Sequence, residues 1–106
     1  MAVTITKENF GQEVAASKLP LVVDVFATWC GPCQQMAPLF AELEKELGHK
    51  YKFAKINVDE SRELSIQFGV TSVPTFLFIK NSQIAGKTIG YTSKEDLKSK
   101  ITEALG

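Results

Sequence analysis

The only two cysteines of the chain, Cys30 and Cys33, stand in Trp29-Cys30-Gly31-Pro32-Cys33, between an apolar run and an amphipathic stripe. The run, Leu21 to Ala27, is β-branched and almost continuously apolar, as in a strand buried on both faces. The stripe, Met36, Leu39, Phe40, Leu43 and Leu47, has helical spacing, with Glu42, Glu44, Lys45 and Glu46 off it. The cysteines therefore mark the point where a strand turns into a helix. On a helix residues i and i+3 share a face at a rise of about 1.5 Å per residue, so the two Cα atoms lie within disulfide range. The bond would close a very short loop and restrict the unfolded chain by only roughly 2 kcal/mol, against about 5 for a loop of ~100 residues. A bond that is easy to form and adds little stability suits redox exchange better than stapling.

The other segments alternate in type. Val3 to Ile5 reads as a short strand, and Thr6 as the cap of a helix over residues 7–17 with Phe10 and Val14 as an i,i+4 apolar pair. Gly48 is positioned to end the long helix, and Pro38 inside it removes a backbone bond, which predicts a kink. Tyr51 to Val58 reads as a strand, followed by a short helix capped by Asp59, reaching about Phe68 and stopped by Gly69. Thr75 to Ile79 and Gln83 to Ile89 form a hairpin around Asn81-Ser82, a weaker turn pair than Asn-Gly. Ser93 caps a last helix with Leu97, Ile101 and Leu105 on its buried face. This order, βαβαβαββα, predicts an α/β fold: a mixed central sheet with parallel crossovers, an antiparallel closing hairpin and helices on both faces. A length of 106 residues fits one domain over residues 1–106.

Lysine plus arginine and aspartate plus glutamate each number 12, which argues against holding nucleic acid or an anionic membrane by bulk charge. One cysteine pair makes no disulfide scaffold, so nothing demands an oxidising compartment. Residues 1–6 lack the basic-then-apolar pattern of a signal peptide, and the longest apolar run, Leu19 to Phe26, is too short to span a bilayer. The expectation is a cytoplasmic monomer.

Thiol–disulfide exchange needs an attacking thiolate and a second thiol to release the product. Cys30, at the end of the loop, would profit from the free N–H groups and dipole of the helix start, which makes it the expected exposed attacker. Cys33, one turn in, would be the covered resolving thiol. Pro32 suits the first helical turn because its missing N–H costs nothing there, and Trp29 offers a flat apolar surface to a polypeptide. Asp24, inside Val22-Val23-Asp24-Val25-Phe26, has two readings. Buried, its raised pKa would suit a general base for a thiol; alternatively it is a strand-end aspartate paired with a lysine. Pro74, in Val73-Pro74-Thr75, by statistics alone reads as an ordinary trans proline, since only about 5–6% of X-Pro bonds are cis.

Trp29-Cys30-Gly31-Pro32-Cys33, with Asp24 before it, Pro38 after it, Val73-Pro74-Thr75 downstream and Gly90 later, resembles the thioredoxin family across essentially the whole chain. The resemblance implies a five-stranded mixed sheet flanked by four helices and a general protein disulfide reductase. It implies that Cys30 forms a mixed disulfide with the client and that Cys33 resolves it. It makes Asp24 the buried proton acceptor near Cys33 and Lys55 the lysine beside it. It makes Pro74 cis, facing the sulfurs, with the Val73 backbone pairing with the client. It makes Trp29, Gly31, Pro32, Val58, Gly90 and Tyr91 part of the contact surface. It implies no cofactor in the chain itself and recharging by an NADPH-dependent flavoprotein thioredoxin reductase.

Phe26 stands where many members carry a second tryptophan, Gln34 where a lysine commonly follows the motif, and Tyr91 where a small residue is common. These departures bear on partner choice, not on the reaction. His49, the lone histidine, follows a helix end and reads as solvated. Three other functions compete: an oxidase or isomerase, a half metal site completed by a dimer, and a module that clamps a partner enzyme without exchange. The Gly31-Pro32 dipeptide resembles the reducing branch, and no second Cys or His pair completes a metal site.

Overall fold

The computed structural model describes residues 2–106; Met1 lies outside them. Its elements are β1 (Val3–Thr4), a π-helical turn (Gly11–Ala15), β2 (Leu21–Phe26), α1 (Gly31–Leu47), β3 (Lys52–Asn57), α2 (Arg62–Gln67), β4 (Thr75–Lys80), β5 (Gln83–Ile89) and α3 (Lys94–Leu105). The strands form one sheet in the order β1-β3-β2-β4-β5. β1 and β2 both run parallel to β3, while β2–β4 and β4–β5 are antiparallel.

The parallel crossover expected between β3 and β4 is therefore absent. α2 has six residues and advances the chain only about 9 Å, whereas crossing back along a six-residue strand needs about 20 Å. The chain re-enters the sheet at the end it left, so β4 starts beside the end of β2, with Thr75 opposite Val25. This reversal carries Pro74 to the end of the sheet where the cysteines lie.

Period-two alternation sends the strand side chains to two cores. Val22, Phe53, Phe76 and Phe78 pack with Met36, Phe40 and Leu43 of α1 and Leu97, Ile101 and Leu105 of α3. Val23, Val25, Ala54, Ile56 and Leu77 pack on the other face with Val14 of the π-helical turn and Leu64 of α2. Four helical segments thus flank a mixed sheet.

Several local expectations are corrected. Thr6 forms reciprocal bonds with Asn9, donating its N–H to Oδ1 at 2.7 Å and accepting the Asn9 N–H at 3.3 Å. The helix beyond is only the π turn, closed by the Ala16 N–H on the Gly11 carbonyl at 3.0 Å. α1 stays one helix across Pro38, which lies inside it as expected. The cap residue of α2 is Ser61 rather than Asp59. Gly69 does end α2: at φ +72° it takes a left-handed conformation that glycine adopts without penalty. Its N–H bonds the Ile66 carbonyl and the Val70 N–H bonds the Ser65 carbonyl, which satisfies the last carbonyls of the helix. The hairpin turn holds Asn81 at φ 54° and Ser82 at φ 64°, the two positive values a two-residue turn of this twist requires.

Candidate active site

Cys30 and Cys33 are joined by a disulfide with a Cα–Cα distance of 5.2 Å. Cys30 is the N-cap of α1, with Gly31 and Pro32 opening the helix. The Cys33 N–H points at Cys30 Sγ from 3.2 Å. One of the four unpaired N–H groups of the helix start is thus aimed at the atom that would carry a thiolate charge, and the helix dipole adds to it. Cys30 was expected to be exposed, but it is 5% accessible and Cys33 3%. Ala27, Phe26, Val58 and Val73 pack around both sulfurs. The two cysteines therefore differ less in burial than in what their sulfurs face.

Three chain crossings converge on Cys30. The Val58 N–H bonds the Phe26 carbonyl at 2.9 Å, which holds the end of β3 against the end of β2. The Val73–Pro74 bond is cis, as the resemblance implies and against the statistical expectation for the dipeptide alone. The Val73 carbonyl oxygen lies 3.8 Å from Cys30 Sγ. The Gly90 N–H bonds the Pro74 carbonyl at 2.8 Å, which fixes the end of β5 beside it, and Gly90 adopts φ +87°. Beyond Gly90, Tyr91 and the preceding Ile89 stand out into solvent.

Trp29 is 70% exposed, so its indole presents an open apolar face next to the disulfide. Its orientation is held by the Nε1–H, which donates to Asp59 Oδ2 at 3.0 Å. The sequence reading took Asp59 only as a helix cap and missed this role; a carboxylate just after a strand end, at the level of the motif, was the available signal. Gln34, at the position of the usual lysine, donates from Nε2 to the Thr28 carbonyl at 2.9 Å and steadies the loop before Cys30. An apolar cleft of about 590 Å³ opens between Trp29 and Val58 on one side and α2 and Val73 on the other. Ile66 lines it and is largely exposed, a second feature the sequence reading did not single out.

Asp24 is almost wholly buried, and its Oδ1 has no hydrogen-bond partner. Burial pushes its carboxyl up to about 6 from 3.8, and the nearby Lys55 charge pulls the other way. Lys55 stands opposite Asp24 in the β2–β3 register, with its ammonium over the Phe26 and Phe40 rings at 5.4 and 5.9 Å. The expected alternative of a strand-end aspartate in a salt bridge is not met: Asp24 lies mid-strand, and no ion pair joins it to Lys55. The carboxylate accepts no hydrogen bond from either cysteine. Alternation along β2 places Asp24 with Val22 on the face covered by α1, the helix that carries Cys33. His49 lies exposed beyond the end of α1, far from the site in the chain.

A reversible disulfide at a helix N-terminus, on a sheet end ringed by apolar groups, defines the class: an oxidoreductase that exchanges electrons through a paired dithiol. The thioredoxin family model matches residues 1–103. The chain is 40% identical to thioredoxin from Alicyclobacillus acidocaldarius over 96% of each chain. It is 39% identical to thioredoxin from Haemophilus influenzae, covering 95% of this chain and 94% of that protein. Thioredoxin from Bacillus subtilis is 37% identical over 97% of each. The chain belongs to the thioredoxin family, and its Cys30–Cys33 pair performs thiol–disulfide exchange with redox partner proteins.

Proposed function

We propose that the exchange runs in the reducing direction on client proteins, with the chain acting as one domain, monomeric and cytoplasmic. The observation that carries this reading is Cys30 Sγ itself, which faces the Cys33 N–H on one side and the Val73 carbonyl on the other. In the dithiol form the Cys30 thiolate attacks one sulfur of a client disulfide. The client's other sulfur leaves as a thiolate and takes up a proton, and a mixed disulfide remains. Asp24 accepts the Cys33 proton; burial makes its carboxylate basic enough to do so, and the Lys55 charge offsets part of that shift and keeps the group from being protonated beforehand. The Cys33 thiolate then attacks Cys30 Sγ and releases the second client thiol. Two electrons pass to the client, and the Cys30–Cys33 disulfide is formed. An NADPH-dependent flavoprotein thioredoxin reductase returns it to the dithiol.

The client lies extended against Val73 and Pro74. Trp29, Gly31, Pro32 and Val58 flank it on one side and Gly90 and Tyr91 on the other. Tyr91, larger than the usual residue there, narrows this second side.

Insulin reduction driven by dithiothreitol, followed as turbidity, tests the reading. Wild type accelerates it; Cys30→Ser and Cys33→Ser both lose turnover, and Cys33→Ser accumulates a mixed disulfide with insulin. Normal turnover by Cys30→Ser overturns the assignment.

A further inference from the structure

Arg62 is the only arginine in the chain. It opens α2 and lines the cleft beside Trp29, Asp59, Ile66 and Val73. Its side chain is exposed and makes no hydrogen bond or ion pair among the described residues. Of the acids near it, Asp59 accepts the Trp29 indole N–H and Glu63 pairs with Lys7 at 3.5 Å, while Glu8 and Glu60, which line a neighbouring pocket with Arg62, form no ion pair with it. One turn further along α2, Ile66 presents 66% of its surface to solvent on the same cleft. A guanidinium is a planar fork of donors matched to a carboxylate, and beside an apolar wall it is screened less than in open water.

We propose that this branch of the cleft selects clients bearing an aspartate or glutamate next to an apolar side chain, on the flank of the client cysteine that passes α2. The apolar side chain packs on Ile66 and the carboxylate pairs with Arg62. The preference rests on the reading of the cleft as the client site, and it adds to the apolar contacts around Cys30 a charge criterion for partner choice.

The test uses model peptides with one disulfide, identical except for Glu, Gln or Lys placed up to about four residues from the attacked cysteine, within ~13 Å of extended chain. Non-reducible analogues, with serine for cysteine, are titrated into the oxidised protein and followed by amide chemical shifts. At low salt the best-placed Glu analogue binds about threefold tighter than the Lys analogue, within the range of a partly exposed ion pair. Arg62→Gln removes the difference, Arg62→Glu inverts it, and added salt reduces it. Equal affinities in wild type at every position, or a preference that survives Arg62→Gln, overturn the inference. Reduction of the disulfide peptides by wild type is run alongside. Failure of every peptide to be reduced overturns the reductase reading instead, while the affinity ratio still judges the acid preference.

Discussion

At the scale of single residues, Asp24 shows how burial creates chemistry. A carboxylate with an unbonded oxygen inside the sheet is stable only because it takes a proton more readily than in water. Its folded-state pKa is raised, so between 3.8 and about 6 the folded protein binds more protons than the unfolded chain. Stability from this group is present at low pH and falls as pH rises through that window, by about 3 kcal/mol in all. Asp24→Asn removes the titration. Its stability relative to wild type therefore improves by about 2 kcal/mol between pH 4 and pH 8, most of that total, as measured by urea unfolding at both values. The same variant slows insulin reduction at neutral pH if Asp24 takes the Cys33 proton. An unchanged rate removes the proposed role, and a pH-independent stability difference removes the burial argument. Asp59 makes a complementary point: its carboxylate is exposed and fixes Trp29 with one hydrogen bond.

At the scale of elements, helix and strand starts do most of the positioning. Cys30 caps α1 with its own sulfur where a serine or aspartate oxygen would ordinarily accept the first-turn N–H. Ser93, which accepts the Asp96 N–H at 3.1 Å, shows the ordinary form at the start of α3. The β4–β5 hairpin carries a local conflict: Ser82 holds φ 64° without the freedom of glycine. Ser82→Gly relieves that conformation and gives back part of the gain through a freer unfolded chain, for a net stabilisation of about 0.5–1 kcal/mol. A rise in the urea midpoint with an unchanged slope checks it, and a fall shows that the Ser82 side chain contributes more than its backbone costs. Gln83 to Ile89, expected as the second strand of the hairpin around Asn81-Ser82, forms with those bounds. The helix over residues 7–17 does not, because Thr6 and Asn9 close a local turn that competes with helical bonding.

For the whole molecule, two cores sandwich the sheet, and the disulfide sits in a small cluster of its own that shares Val58 and Val73 with one of them. The cores, not the disulfide, hold the fold. Reduction of Cys30–Cys33 is expected to lower the unfolding free energy by no more than about 2 kcal/mol, the loop-entropy value for so short a ring. Urea titrations with and without reductant measure it, and a loss several-fold larger shows that the bond carries packing as well. No helix among the described residues is long and apolar enough to cross a membrane.

The sequence by itself determined the chemistry and the parts list. Cys30, Cys33, Pro32 and Trp29 are adjacent in the chain, and their meaning comes from spacing and helix geometry, which are local. The strand of Leu21–Phe26 and the stripe of α1 were legible for the same reason: periodicity is written within a few turns. Only the tertiary structure decided what faces the sulfurs. Val73 and Gly90 reach the site because α2 is too short to cross the sheet and β4 turns back antiparallel, and Asp59 and Arg62 because β3 runs parallel to β2 and ends beside it. Burial of Cys30 and the orphaned Asp24 carboxylate likewise depend on neighbours brought from distant parts of the chain. Solvent exposure and electrostatic environment are properties of packing, which no stretch of sequence contains alone.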